Sequence, residues 1–333
     1  MSSRVNRQIL LIEKPTGKLG REHFRLIESP VPEPKDSEVL LRVRYISLDA
    51  AIRAWMHGAT YRAALEDNAV MAGGGVAEVV LSRAPGFAPG DVVFSDTGWQ
   101  DYAVLPGKHL TKLPRIEPMT HLLSIYGIAG LTAYFGLLNI GRPQSGETVV
   151  VSAAAGSVGS IVGQIAKIKG CRAIGIAGGA EKCQWLTAHL GFDAAIDYKE
   201  GGVFKALRSV APKGVDVYFD NVGGDILEAC LPQMNVHGRI VCCGAISQYD
   251  GPPAATGPRG VPGLIVVKRL RMEGFIVTDF FGERDKAFVD LGTWLKQGKL
   301  QVEEDVIDGL ENTPAALIGL LAGENRGKRM VKV

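Results

Sequence analysis

The stretch Gly146-Glu147-Thr148-Val149-Val150-Val151-Ser152-Ala153-Ala154-Ala155-Gly156-Ser157-Val158-Gly159-Ser160 decides the fold. A short β-branched run ends in small residues and glycines, then continues as an amphipathic segment through Ala166. That is the pattern of a buried strand turning tightly into a helix whose bare amino end can face a phosphate. The spacing Ala154-x-Gly156-x-x-Gly159 is a dinucleotide fingerprint with alanine in place of the first glycine. Alone, it also fits an ordinary glycine-rich strand–helix turn, so its surroundings decide the reading.

Downstream, strands at 148–152, 172–177, 194–197, 215–220 and 239–243 alternate with helices at 158–169, 181–190 and 203–211. This rhythm implies right-handed βαβ units and a doubly wound parallel (Rossmann) sheet, hence an α/β protein. A Gly/Pro-rich loop at 251–262 precedes a strand at 273–277, a helix at 285–297 and a last strand at 328–333. Upstream, residues 8–113 read as short strands separated by turn chemistry, such as the proline loop at 29–34 before the alternating strand at 38–45. The loop Pro85-Gly86-Phe87-Ala88-Pro89-Gly90-Asp91 leads into a strand at 92–94, and 102–105 is another. This half is a mostly antiparallel β-rich domain to which the tail returns. The expected division is 1–124 for the first part of the catalytic domain, 125–290 for the nucleotide domain and 291–333 for the return.

A chain of 333 residues accommodates about two such domains. Its net charge of +2 argues against a dedicated nucleic-acid or polybasic membrane binder. The five cysteines form no C-x-x-C pair, so free thiols in a reducing cytoplasm are expected. Residues 1–8 contain no apolar core of a secretory signal. Residues 119–141 carry no Asp, Glu, Lys or Arg and are long enough to cross a bilayer. His121, Ser124, Asn139 and the interspersed glycines, without flanking basic clusters, favour a buried helix of a soluble protein.

A pyrophosphate would rest on the amides of Ser157, Val158, Gly159 and Ser160. An NAD site would end the second strand on an acid that binds the adenosine ribose, but this chain reads Ile176-Ala177-Gly178-Gly179-Ala180-Glu181-Lys182. Gly178 leaves room and Lys182 follows within a turn, which suits the 2′-phosphate of NADP. Glu181 is better read as complementing the helix dipole.

Four motifs in order carry a resemblance. They are Gly130-Leu131-Thr132-Ala133-Tyr134-Phe135-Gly136-Leu137-Leu138, the Ala-Ala-Ala-Gly-Ser-Val-Gly-Ser turn, Tyr218-Phe219-Asp220-Asn221-Val222-Gly223-Gly224 and Cys243-Gly244-Ala245-Ile246-Ser247-Gln248-Tyr249. Together they resemble the zinc-independent medium-chain dehydrogenase/reductase family, in its branch of prostaglandin reductases (leukotriene B4 12-hydroxydehydrogenases) and bacterial curcumin reductases. The likeness runs from Ser47-Leu48-Asp49 to Asn325-Arg326-Gly327-Lys328.

The resemblance implies a GroES-like catalytic domain built from both chain ends, a homodimer, and NADPH-dependent reduction of double bonds conjugated to a carbonyl. Carried over by motif, the NADPH contacts are Ser157 to Ser160, Lys182, Tyr198 and Asn221. The segment Cys243, Gly244, Ala245, Ile246, Ser247 and Tyr249 continues the set, and Phe275, Ile276, Val277 and Asn325 complete it. No metal is expected. Residues 1–113 hold no cysteine, and Ala72-Gly73-Gly74-Gly75 stands where zinc relatives have Gly-His-Glu.

The expected chemistry is hydride transfer to the β-carbon of an enone or enal, with the enolate oxygen stabilised by hydrogen-bond donors. Tyr249 is the first candidate donor, since the matching tyrosine closes over the nicotinamide in this family. Tyr61, matching a pocket tyrosine of the curcumin reductase branch, is the second. The proton for the α-carbon would come from water or the cofactor ribose. Where many relatives have Ser-Leu-Asp-Pro-Tyr-Met-Arg, this chain has Ser47-Leu48-Asp49-Ala50-Ala51-Ile52-Arg53, so Ala51 replaces a family pocket tyrosine. Trp55, Met56 and Trp99 fit either the pocket wall or the core. Cys242 and Cys243, on a buried strand without a basic partner in sequence, read as packing residues. Alternatives are an NADPH:quinone oxidoreductase and a non-catalytic NADPH-binding protein of the same fold.

Overall fold

A computed structural model describes residues 5–250 and 257–333. The first part comprises β1 (Val5–Leu11), β2 (Phe24–Pro30), β3 (Glu38–Ser47), α1 (Ala51–Trp55) and β4 (Ala69–Val70). It continues with β5 (Gly74–Ser82), β6 (Val92–Asp96), β7 (Tyr102–Pro106) and β8 (Thr111–Leu113). Next come α2 (Ile128–Phe135), β9 (Thr148–Ser152), α3 (Ser157–Ile168), β10 (Arg172–Ala177), α4 (Ala180–Ala188) and β11 (Ala194–Asp197). The βα alternation proceeds through α5 (Val203–Val210), β12 (Val215–Asp220), α6 (Gly224–Cys230), β13 (Met234–Cys242), α7 (Val261–Lys268), β14 (Arg271–Gly274) and α8 (Arg284–Lys296). The chain closes with β15 (Glu304–Asp308), α9 (Thr313–Leu321) and β16 (Lys328–Lys332).

The nucleotide domain is a six-stranded parallel sheet of order β11-β10-β9-β12-β13-β14. Its central strand β9 is buried along its whole length, and β10 and β12 carry long apolar runs, because helices cover both faces. Val149 and Val151 point to one face with Phe219 and Val241, against α2, α3 and α8. Val150, between them, points to the other with Ile174, Tyr218 and Ile240. All three valines are fully buried, each stabilising the fold by about 1.5–3 kcal/mol. The order reverses between β9 and β12, and ligands bind outside the carboxyl ends of strands at such a point.

The β-rich part is a seven-stranded sheet in which β15, β16, β3, β5, β6 and β8 follow one another and β7 also pairs with β3. A smaller sheet of order β2-β1-β4 lies beside it. The tail returns as expected: β16 pairs antiparallel with β3. Lys328, 2% exposed, donates to the Leu48 carbonyl and pairs with Asp49 at 2.5 Å.

Several elements depart from the expected pattern. Residues 119–141 are a short 3-10 turn, α2, and a wider π-helical segment, Gly136–Gly141, rather than one helix. A Cβ on Gly130 would stand 1.8 Å from the Ile125 carbonyl oxygen, so this stretch is built on close backbone approach. Among the described residues, no helix is long and apolar enough to cross a membrane. The strand expected at 273–277 lies instead at Arg271–Gly274. Its partner β13 runs out at Cys242, opposite Gly274, and leaves 275–277 without a ladder to join. The loop read at 251–262 falls partly outside the described residues, and its end is the start of α7, with Pro262 in the first turn. Leu291 of α8 and Leu300 beyond it pack in the nucleotide-domain core.

Candidate active site

The candidate phosphate turn begins where β9 ends. Ala153 takes a left-handed conformation (φ 47°), which turns the chain sharply into α3. Gly156 caps α3 in an extended conformation with no side chain on its amides, which leaves the N–H groups of Ser157, Val158 and Gly159 for an anion. The Ser160 amide, expected among them, instead donates to the Gly156 carbonyl at 3.1 Å as the first bond of the helix. A Cβ on Gly159 would meet the Ala153 carbonyl oxygen at 2.4 Å, and one on Gly163 would enter the Phe192 ring at 1.8 Å. Gly159 therefore permits the tight turn, while Gly163 lets α3 lie close to the sheet. The Ser157 hydroxyl is buried without a hydrogen-bond partner. An orphaned hydroxyl beside bare amides fits a phosphate oxygen, so the residues present suit a dinucleotide.

The tail reaches this turn. The Gly327 amide donates to the Ala155 carbonyl at 2.9 Å. The Lys182 ammonium, on α4, donates to the carbonyls of Gly323 and Asn325 at 2.6 Å each. Lys182 and Asn325, 143 residues apart, thus belong to one corner. Tyr198 and Lys199 cover Gly178: a Cβ there would meet the Tyr198 ring at 2.9 Å and Lys199 Cε at 3.0 Å. Burial, followed by the neighbouring Lys199 and Arg329 cations, pushes the Lys182 pKa down. A concentration of cations with a depressed lysine is a ready anion site. Lys199 was not singled out from sequence, although it directly follows Tyr198. The missed signal is the short 3-10 turn Tyr198–Glu200, which Asp197 caps by accepting from the Lys199 amide.

At the switch point, Asp220 organises the floor. Its carboxylate, 2% exposed, accepts from the hydroxyls of Ser152 and Tyr218 and from the amides of Val222 and Gly223, at 2.9–3.1 Å. Asn221 sits on the same frame, its amide donating to the Ser152 hydroxyl and its side chain to the Ser152 carbonyl. The segment after β13 is zipped alongside, with the amides of Cys243 and Gly244 donating to the Asp220 carbonyl. Those of Ile246 and Ser247 donate to the carbonyls of Asn221 and Val222. Neither Ser152 nor Asp220 was picked out as a site residue from sequence, because their importance lies in hydrogen bonds between distant strands. Burial pushes the thiols of Cys242 and Cys243 up to about 11 and about 12, so neither is a thiolate near neutrality.

Tyr249 folds back over this segment, and its hydroxyl accepts the Ala245 amide at 3.0 Å. An amide donates only, so the phenolic proton remains free for another acceptor. Burial raises the Tyr249 pKa above its ordinary 10, with a contribution from the phenol of Tyr61. The Tyr61 side chain is 59% exposed. Its hydroxyl accepts from the Trp55 indole N–H at 3.0 Å, which again leaves its own proton free. The Arg62 guanidinium lies 4.3 Å over the Trp55 ring and pairs with Asp96. Trp99 and Met56 are core residues instead, with Trp99 stacked on Phe24. Farther along, Val277 is buried and Phe275 packs against Phe280, whereas Ile276 is 37% exposed. Among the described residues, no group of three or more His, Cys, Asp or Glu is gathered to hold a metal ion.

Comparisons with known proteins fit this architecture. The family model described as N-terminal domain of oxidoreductase matches residues 7–113, and that described as zinc-binding dehydrogenase matches 157–293. The NADPH-dependent curcumin reductase of Escherichia coli is 42% identical, covering 98% of this chain and 97% of the relative. Prostaglandin reductase 1 of Bos taurus is 45% identical, covering 93% of each. The crystal structure of CurA from Vibrio vulnificus in complex with NADPH is 43% identical, with a TM-score of 0.94 over 98% of this chain and 99% of that one. The chain belongs to the medium-chain dehydrogenase/reductase family, in its zinc-independent branch.

Proposed function

We propose that this protein is an NADPH-dependent, zinc-independent reductase of double bonds conjugated to a ketone or aldehyde. NADPH, when bound, supplies the hydride that the β-carbon of the substrate receives. The turn residues Ser157, Val158 and Gly159 hold the pyrophosphate, and Lys182 with Tyr198 and Asn325 holds the adenosine phosphate end. Asn221, the segment from Cys243 to Ser247, and Phe275, Ile276 and Val277 bound the nicotinamide side. One observation carries the chemistry: the Tyr249 hydroxyl spends a lone pair on the Ala245 amide and keeps its proton for an acceptor. A phenol fixed in this way stabilises negative charge growing on the substrate carbonyl oxygen. Tyr61, its proton freed by Trp55, is the second donor.

The test is NADPH oxidation against enones, enals, 15-oxo lipids and quinones, with NADH as the comparison. Turnover of conjugated enones with NADPH preferred is expected. NADPH binding without turnover of any enone overturns the reading in favour of a non-catalytic protein, and turnover of quinones alone favours the quinone reductase.

In this reductase, a cytoplasmic homodimer, the catalytic domain comprises residues 1–124 and the returning tail, read from sequence as 291–333, around the nucleotide domain that starts at 125. The burial of Leu291 and Leu300 supports moving the second boundary a few residues beyond 300. The exposed Val266 and Val267 on α7, 74% and 68% exposed, beside the edge strand β14, support self-association there. Light scattering of the purified protein tests it, and a monomer at micromolar concentration would overturn it.

A further inference from the structure

The catalytic domain contributes a fully buried arginine to the seam with the nucleotide domain. Arg53, on α1, is 0% exposed. Its Nε donates to Asp250 Oδ1 at 3.0 Å and its Nη2 to the Gly17 carbonyl at 2.6 Å. Asp250 Oδ1 also accepts the Leu19 amide at 2.8 Å, so the loop at 17–19 grips the carboxylate from a second side. Arg53 Nη1 lies 3.1 Å from His57 Nε2, and the same ring nitrogen lies 2.8 Å from the Tyr249 carbonyl oxygen. The carbonyl only accepts and the guanidinium only donates, so Nε2 serves one of them: carrying its proton there, His57 donates to the Tyr249 carbonyl and makes no bond to Arg53.

A guanidinium without solvent must keep its carboxylate, because an unpaired buried charge is costly. That carboxylate belongs to the residue directly after Tyr249. The backbone on the carboxyl side of Tyr249 is therefore held from the other domain, by Arg53 through Asp250 and by His57 through the Tyr249 carbonyl. The hydroxyl is held from its own domain by the Ala245 amide. With backbone and hydroxyl both anchored, the ring has little freedom to swing, and the direction of its free proton is set.

We propose that Arg53, His57 and Asp250 form an interdomain clasp whose task is to position Tyr249 for the reaction. The proposal rests on the donor role of Tyr249 argued above. Arg53 and Asp250 are positioning residues, acting on substrate only through that tyrosine.

The test is a double-mutant cycle of Asp250→Asn and Tyr249→Phe, read as kcat at saturating NADPH and as the KM for NADPH. With Tyr249 present, Asp250→Asn is expected to lower kcat by about 10- to 100-fold and to leave the KM for NADPH within about twofold. In the Tyr249→Phe background, where no phenolic proton is left to position, it is expected to cost nothing further. Equal losses on both backgrounds, or no loss on either, overturn the clasp while leaving Tyr249 as the donor. A Tyr249→Phe enzyme with the full rate overturns the donor role itself, and the clasp with it. Should Asp250→Asn fail to fold, His57→Ala enters the same cycle. His57 is exposed and its removal strands no carboxylate, so a smaller, equally non-additive loss in kcat is expected and an additive one overturns the proposal.

Discussion

The two ends of the active site are built on opposite plans. The phosphate turn is made within a dozen residues, from Ser152 to Gly163, and its geometry is enforced by backbone contacts a Cβ would violate. The end proposed to bind the substrate carbonyl is assembled from α1, the segment after it, and the chain following β13, joined across the domain seam by side chains. The first plan yields rigidity from local sequence, whereas the second makes reactivity depend on how the domains meet.

Changes at the turn should have the largest effect. Gly159→Val forces a Cβ against the Ala153 carbonyl; it should cost about 1–3 kcal/mol of stability and abolish NADPH binding in a fluorescence titration. A variant that still binds NADPH normally would show that the turn is less rigid than its contacts imply. At the other end, Tyr249→Phe keeps the ring and removes the donor. Its kcat should fall by about 100- to 1,000-fold with the KM for NADPH unchanged, a split visible in steady-state kinetics.

Lys182→Ala should raise the KM for NADPH by about 10- to 100-fold, the worth of a charged hydrogen bond, and leave that for NADH unmoved. A matching pH dependence follows. The depressed Lys182 pKa means its proton leaves at lower pH than from an ordinary lysine. The KM for NADPH should therefore climb on the alkaline side as pH rises through that value, while that for NADH stays level. Tyr249, with its pKa raised by burial, loses its proton only at higher pH than an ordinary tyrosine. The smallest effect belongs to Tyr61→Phe. With 59% of Tyr61 exposed to competing water, about a three- to tenfold loss in kcat is expected.

The same contrast governs how much was legible beforehand. The strands at 172–177 and 215–220 fall where their apolar runs place them, because burial on both faces leaves a near-continuous signal, and the short edge strand at 194–197 also falls where it was expected. The strand β5 went unread because it opens on glycines, and α9 because its all-apolar sequence lacks a polar face. Lys182 stands out as a candidate by its distance to the second strand, whereas its bonds to Gly323 and Asn325 leave no trace in the sequence. Asp220 reads as the last residue of a strand, and only its buried neighbours make it a hub.

By itself, the sequence determined the doubly wound domain and the tight glycine turn at its first strand, and it carried the reading of a phosphorylated nucleotide proposed above. Each follows from short-range periodicity and from the backbone freedom of a few glycines. Only the tertiary structure decided which hydroxyl protons are free, which carboxylate organises the switch point, and that Arg53 reaches Asp250 across 197 positions of chain. Hydrogen-bond direction and the pairing of buried charge are properties of neighbours in space, and a linear pattern carries no record of them.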